Sequence, residues 1–172
     1  SEEESWPALN AGRIAAAATT VDVLTAYCRN FQVVAPVQIG FSRGADGLVV
    51  RKEIRRINDL KGKTLVTAQF TESDFFIRYL AQEAGLGVHM LRTPTDRADP
   101  ERLNLLFAAD AFTAGDLFLK DLESGSGRLA GCVSWAPKTT EVVAASKGAA
   151  VLLTTNKNLL IVADILVVNK GF

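Results

Sequence analysis

Residues 63–86 read KTLVTAQFTESDFFIRYLAQEAGL, and the way they divide decides the fold. "KTLVTA" (63–68) is a clear strand, and its β-type run breaks into small polar residues. A helix follows from about Ser73 to Ala84, because Phe76, Leu80 and Ala84 recur at helical spacing with Phe75 and Tyr79 beside them. Thr71 and Asp74 fit the S/T-x-x-D/E capping pattern at its start. Gly85 followed by Leu86 is the expected terminator, a glycine with an apolar residue after it.

Outward from this stretch the same alternation continues. On the amino-terminal side, "WPALNA" (6–11) suits a short helix ending at Gly12, "RIAAAATT" a strand and "VDVLTAYCRN" a helix. "QVVAPVQIGF" (32–41) and "GLVVRK" (47–52) are β-branched runs joined by "SRGAD", and "INDLKG" is turn-like. On the carboxyl side, residues 87–101 hold two prolines and several charges and read as a surface loop. "RLNLLFA" (102–108) alternates as a strand, "AFTAGDLFLKDLES" is a helix stopped by "GSG", and "LAGCVSW" (129–135) is a strand. "KTTEVVAAS" is a short helix, and "AVLLTT" and "LLIVADILVV" are further strands. Strands alternating with helices predict βαβ units and a mainly parallel sheet. One echo stands out: "ALNAGRIAAAATTVDVL" and "DLESGSGRLAGCVSWAPKTTEVV" share an order of helix, glycine, small-residue strand and new helix. It fits either two similar α/β lobes or the general preference for glycine after a helix.

Bulk properties narrow the function classes. The 172 residues suffice for one domain or two small lobes, and 48% hydrophobic residues can bury a core. Nineteen basic residues balance nineteen acidic ones, which argues against nucleic-acid binding. Cys28 and Cys132 lie far apart in apolar surroundings and read as free buried thiols. With a single histidine and no CxxC, a zinc site is implausible, and no motif asks for a cofactor. There is no G-x-S-x-G, P-loop or G-x-G-x-x-G, so nothing argues for an enzyme. No apolar run is long enough to span a membrane, and the acidic start "SEEESWPALN" is not a signal peptide.

In open α/β sheets ligands bind beyond the carboxyl ends of strands. That rule selects Thr19–Thr20, the loop from Gln69 to Ser73, Ala109–Asp110 and Ser134–Trp135. The loop before the helix offers free N–H groups and the hydroxyls of Thr71 and Ser73. Glu72 and Asp74 already answer that dipole, so a strongly anionic ligand needs a cation such as Arg43 nearby. Trp135 precedes Ala136–Pro137 at a strand end, a place for a cleft-facing ring. In "SRGADG" (42–47) Asp46 is either a turn former or a ligand contact.

The ordered series "ALNAGRIAAAATTVDVL", "GADGLVVRKEI", "INDLKGKTLVT", "FTESDFF", "GRLAGCVSWAP" and "ADILVVNKGF" resembles the type II periplasmic substrate-binding proteins. The closest group is the nitrate/sulfonate/taurine and thiamine-precursor-like binding proteins of ABC transporters. The resemblance implies an α/β, type II periplasmic-binding-protein-like fold: one near-complete lobe plus part of a second, joined by crossing strands around a ligand cleft. Residues 1–31 would be part of lobe 1, 32–47 a crossing segment, 48–160 lobe 2 and 161–172 a return strand. It implies a solute-binding component, or a fragment of one, for a small polar organic molecule, a membrane permease as partner, and a periplasmic or extracytoplasmic site of action, either free or membrane-anchored. It carries over Thr19, Thr20, Asp46, Thr71, Ser73 and Trp135 as cleft residues; Arg43 and Gln69 are added from their position. Relatives often have Gly-Thr at Phe70–Thr71 and Trp-Glu-Pro at Trp135–Pro137, so the substrate does not transfer. An incomplete first lobe would leave apolar surface for self-association. The alternatives are an effector-sensing regulatory domain of the same fold and an enzyme like the thiamine-pyrimidine synthases, which would need a well-placed His89.

Overall fold

A computed structural model of the chain describes residues 2–27 and 29–171, and the chain divides into two compact units. The smaller comprises residues 1–42 with 159–172, and the larger residues 43–158. Cys28 lies outside the described residues.

The smaller unit contains α1 (Glu2–Asn10), β1 (Ala16–Thr20), α2 (Val21–Tyr27), β2 (Val33–Phe41) and the last strand of the chain, β9 (Ala163–Asn169). Its sheet has the order β1-β9-β2 and is antiparallel throughout, with Thr20 opposite Asp164 and Val37 opposite Leu166. Alternation along the strands gives the sheet two different faces. Ile165 and Val167 are buried with Trp6, Leu9 and Val23 beneath α1 and α2. The opposite face carries Ala18, Leu166, Val34 and Val37, of which Val34 and Val37 are 42% and 51% exposed. Asn169 fastens the return strand by donating to the carbonyl of Leu9 at 2.7 Å.

The larger unit holds β3 (Asp46–Arg51), a 3-10 turn (Ile57–Leu60), β4 (Thr64–Ala68), α3 (Glu72–Glu83), β5 (Val88–Leu91) and β6 (Leu103–Ala108). It continues through α4 (Ala111–Ser124), β7 (Gly131–Trp135), α5 (Lys138–Ala145) and β8 (Ala150–Thr155). The sheet order is β5-β6-β4-β7-β3-β8. The four strands from β5 to β7 are parallel, while β3 and β8 add antiparallel ladders, so the mainly parallel expectation gives way to a mixed sheet. The short β5 falls inside the segment expected to be a loop: four residues between Gly87 and Arg92 carry too little periodicity to announce a strand.

The helices form where their patterns demand. α3 buries Phe76, Ile77 and Ala81, each large side chain removing about 1.5–3 kcal/mol of unfavourable exposure. It ends in a Schellman turn: Gly85 adopts φ 68°, Gly85 N donates to Gln82 O, and Leu86 N donates to Ala81 O. The capping expectation at its start needs correction. Thr71 Oγ1 donates back to the Ala68 carbonyl at 2.8 Å, and Asp74 accepts from the Phe70 N–H at 3.2 Å instead. The hydroxyl finds the strand end closer than the helix donors, and the carboxylate takes the cap. In α4, Asp110 is the cap, accepting from Thr113 N at 2.7 Å, and Phe118 is fully buried in a cluster with Val66, Leu106 and Cys132.

Candidate functional site

The register of the larger sheet sets a row of loops along one edge. β4 and β6 end together at Ala68 and Ala108, β7 ends at Trp135, and Trp135 pairs with Asp46, the first residue of antiparallel β3. β8 ends at the same edge, with Thr155 opposite Gly47. The starts of α3, α4 and α5 follow these strand ends. This is the carboxyl edge at which α/β sheets receive ligands.

Asp46 and Trp135 are therefore brought together by direct strand pairing. Asp46 is buried, and Asn156 locks it in place: Asn156 Nδ2 donates to Asp46 Oδ2 at 2.7 Å, and Asn156 N donates to the Asp46 carbonyl at 3.0 Å. The same Asn156 accepts from Gly44 N at 2.6 Å through Oδ1, and Ala136 N donates to Ala45 O at 2.8 Å. The 43–46 segment is thus stitched to the ends of β7 and β8, and Asp46 opens β3 with its carboxylate held by Asn156. Gly44 adopts φ 99°, a conformation that favours glycine.

Trp135 is half-buried, and the ring of Phe112 meets it edge-on, with centroids 6.0 Å apart and planes at 75°. The Lys138 ammonium lies 5.6 Å from the centre of the Phe112 ring while pairing with Asp116 at 3.1 Å and Glu141 at 3.0 Å. Hydrogen bonds from Lys138 to Glu141 and Asp116 raise its pKa. Ser134 Oγ donates to the Ala111 carbonyl at 2.8 Å, holding the start of α4 against the end of β7.

At the neighbouring corner Ser73 is fully buried, and its hydroxyl has no hydrogen-bond partner among the described residues; the same holds for Thr67 in β4. Phe70 stands between them in chain order with φ 59° and half of its surface exposed. Asp74 pairs with Arg78 at 2.7 Å. Asp110 lies below its ordinary pKa because the backbone and hydroxyl of Thr113 donate to it. The first turn of α3 and the N-cap of α4 therefore already hold carboxylates.

The remaining expected residues sit elsewhere. Arg43 is exposed at the beginning of the larger unit. Gln69 lines a separate cavity of about 690 Å³ with Arg78, His89 and Phe107. His89 is in β5, not a loop, opposite Asn104. In the smaller unit Thr19 and Thr20 close β1, opposite Ile165 and Asp164, and Thr19 Oγ1 is buried without a hydrogen-bond partner among the described residues. Phe112, Asn156 and Lys138 were not singled out from sequence. Phe112 had a signal, an apolar residue in the first turn after the Ala109–Asp110 corner; Asn156 had none, because its partners lie 110 and more residues away.

Among the described residues no group of three His, Cys, Asp or Glu side chains is placed to hold a metal ion. No described helix is long and apolar enough to cross a membrane. No protein-family model matches the chain, and no curated protein matches it. Solved structures do match. The periplasmic aliphatic sulphonate binding protein SsuA from Escherichia coli aligns with a TM-score of 0.69 at 14% identity, over 98% of this chain and 52% of that one. An ancestral arginine-binding protein bound to arginine gives 0.57 at 17%, over 99% and 64%. A periplasmic binding protein of an ABC transporter from Brucella ovis, with glutathione bound, gives 0.58 at 13%, over 98% and 47%. These neighbours are binding proteins, and their ligands differ. This chain spans about half the length of the sulphonate-binding protein. At such identities the likeness speaks to architecture alone, and the architecture is that of a periplasmic binding protein.

Proposed function

We propose that the chain is a solute-binding component, or a piece of one, of an ABC-type uptake system. It takes a small polar organic molecule at the carboxyl edge of the larger unit. The observation that carries this reading is the strand-paired juxtaposition of Asp46 and Trp135, with Phe112 against the indole, on a fold used by binding proteins. An aromatic wall beside fixed polar groups is the ordinary composition of a small-molecule site.

The charges at that edge favour a ligand that is neutral or carries a cationic or hydrogen-bonding group. Asp74 and Asp110 occupy the helix starts, and Lys138 is engaged by two carboxylates. Arg43 is the cation that would accommodate an acidic substituent. Trp135, Phe112 and Asp46 form the proposed binding face, with Thr71 and Ser73 at the next corner and Gln69 an outlying contact; Thr19 and Thr20, at the end of β1, are proposed for the smaller unit by itself as ligand-facing hydroxyls. Delivery to a membrane permease, from an extracytoplasmic compartment, belongs to the same proposal.

Thermal unfolding in the presence of sulfonates, amines, pyrimidines and aromatic acids tests it. A ligand present at about a hundred times its Kd adds roughly 2.7 kcal/mol, a rise of about 5–10 °C for a chain of this size. At least one class is expected to give such a rise, and Trp135→Ala to remove it. A panel that leaves the midpoint unmoved contradicts the proposal.

A further inference from the structure

A second cavity system lies in the larger unit, away from the carboxyl edge. One cavity, of about 730 Å³, has Leu91, Leu106, Leu117 and Leu129 in its lining. A smaller one, of about 380 Å³, is lined by Arg51, Glu53 and Lys63 among others. The two share Thr64, Ala98 and Arg128, so an apolar trough runs into a basic one at the amino end of β4.

The charges around this trough are unequal. Asp121 is consumed: Oδ2 accepts from Arg51 Nη2 at 2.6 Å and from Leu129 N at 3.2 Å, and Oδ1 accepts from Arg128 N and from the Ser126 hydroxyl. Asp96 is consumed as well, by Arg92 N at 2.7 Å and by the backbone and hydroxyl of Thr93. Among the described residues, by contrast, no ion pair engages the side chains of Lys63, Lys120 or Arg128, all of which line one or both cavities. Against these three cations stands the exposed Glu53.

From this we infer a second binding site, for an amphipathic anion: an aliphatic chain in the leucine-lined trough with a carboxylate head among Arg128, Lys120 and Lys63. The chain removes apolar surface from water, and the head meets cations that no protein carboxylate answers. Burial of the leucine floor in the main core cluster makes the trough a preformed feature of the unit. The site does not depend on the proposed solute-binding role, since it uses none of the same residues.

Octanoate is the probe, titrated into the full chain and followed by backbone amide shifts. Saturable shifts are expected at Leu91, Leu117 and Leu129. Acetate, which lacks the chain, and octanol, which lacks the charge, should each bind at least about ten-fold more weakly. Arg128→Glu reverses one exposed charge and should weaken octanoate by about ten-fold or more without altering the fold, while Leu117→Asp should weaken it independently. Octanol binding as tightly as octanoate, unchanged affinity in Arg128→Glu, shifts clustered elsewhere, or no saturation below the concentration at which octanoate self-associates would each overturn the inference.

Discussion

At the scale of single residues, the hydroxyls of Thr67 and Ser73 are the most informative groups. Both are buried without a hydrogen-bond partner among the described residues, a costly condition that natural proteins keep rare. Thr67→Val keeps the branched shape and removes the unsatisfied oxygen. We expect it to stabilise the protein by about 1 kcal/mol in denaturant unfolding, and a loss of stability would show that the hydroxyl has a partner after all. Cys132 makes a sharper test of the core. Burial pushes its thiol up to about 12, against a small opposing pull from Lys138. In a Cys28→Ser background Cys132 should therefore resist a thiol reagent at pH 8 until denaturant is added; prompt labelling of the native protein would mean that β7 is not enclosed. Phe70 shows how a residue departure acquires a physical meaning. Relatives were expected to carry glycine there, and the observed φ of 59° is one that glycine adopts without strain. The departure replaces conformational ease with an exposed ring at the candidate site.

At the scale of elements, long local patterns are legible in the sequence. The α3 pattern gave its apolar face and its glycine terminator because both are properties of neighbouring residues. The position of β5 and the direction of β3 were not legible, because strand pairing is settled by partners far away in the chain. β3 lies between β7 and β8, and neither 46–51 nor its flanks encode which way it runs. The candidate site inherits the same limit: Trp135 and Asp46 were each identifiable from their corners, while their pairing and the clamp by Asn156 exist only in the folded sheet. Gly131, the first residue of β7, marks the tightest point of this packing. A side chain there would be driven into the Val49 carbonyl and would lie 3.0 Å from the Val50 Cα and the Leu65 side chain. Gly131→Ala is expected to cost about 2–3 kcal/mol and to lower the midpoint by roughly 5–10 °C. Gly125→Ala, open to solvent but at φ 67°, should cost only about 1 kcal/mol. Equal losses at the two sites would contradict the registered β3–β7 ladder.

At the scale of the whole molecule, the chain is two compact units of unequal size. The larger has helices packed on its sheet over a buried apolar cluster, whereas the smaller is a three-stranded sheet with α1 and α2 packed against one face. Its other face presents Val34 and Val37, with Ile39 of the same strand 60% exposed. We expect this chain to self-associate through that face, so light scattering should show a concentration-dependent rise in mass that Val37→Lys abolishes; a monomer at all concentrations would refute it. The central claim concerns the larger unit, and Trp135 reports on it directly, since Trp6, the other tryptophan, is buried in the smaller unit's core. The decisive measurement is the fluorescence of a Trp6→Phe protein titrated with the panel of sulfonates, amines, pyrimidines and aromatic acids. A solute-binding edge predicts a saturable change in Trp135 emission with at least one class, weakened when Phe112 is replaced by alanine. Emission that stays flat across every class would contradict it.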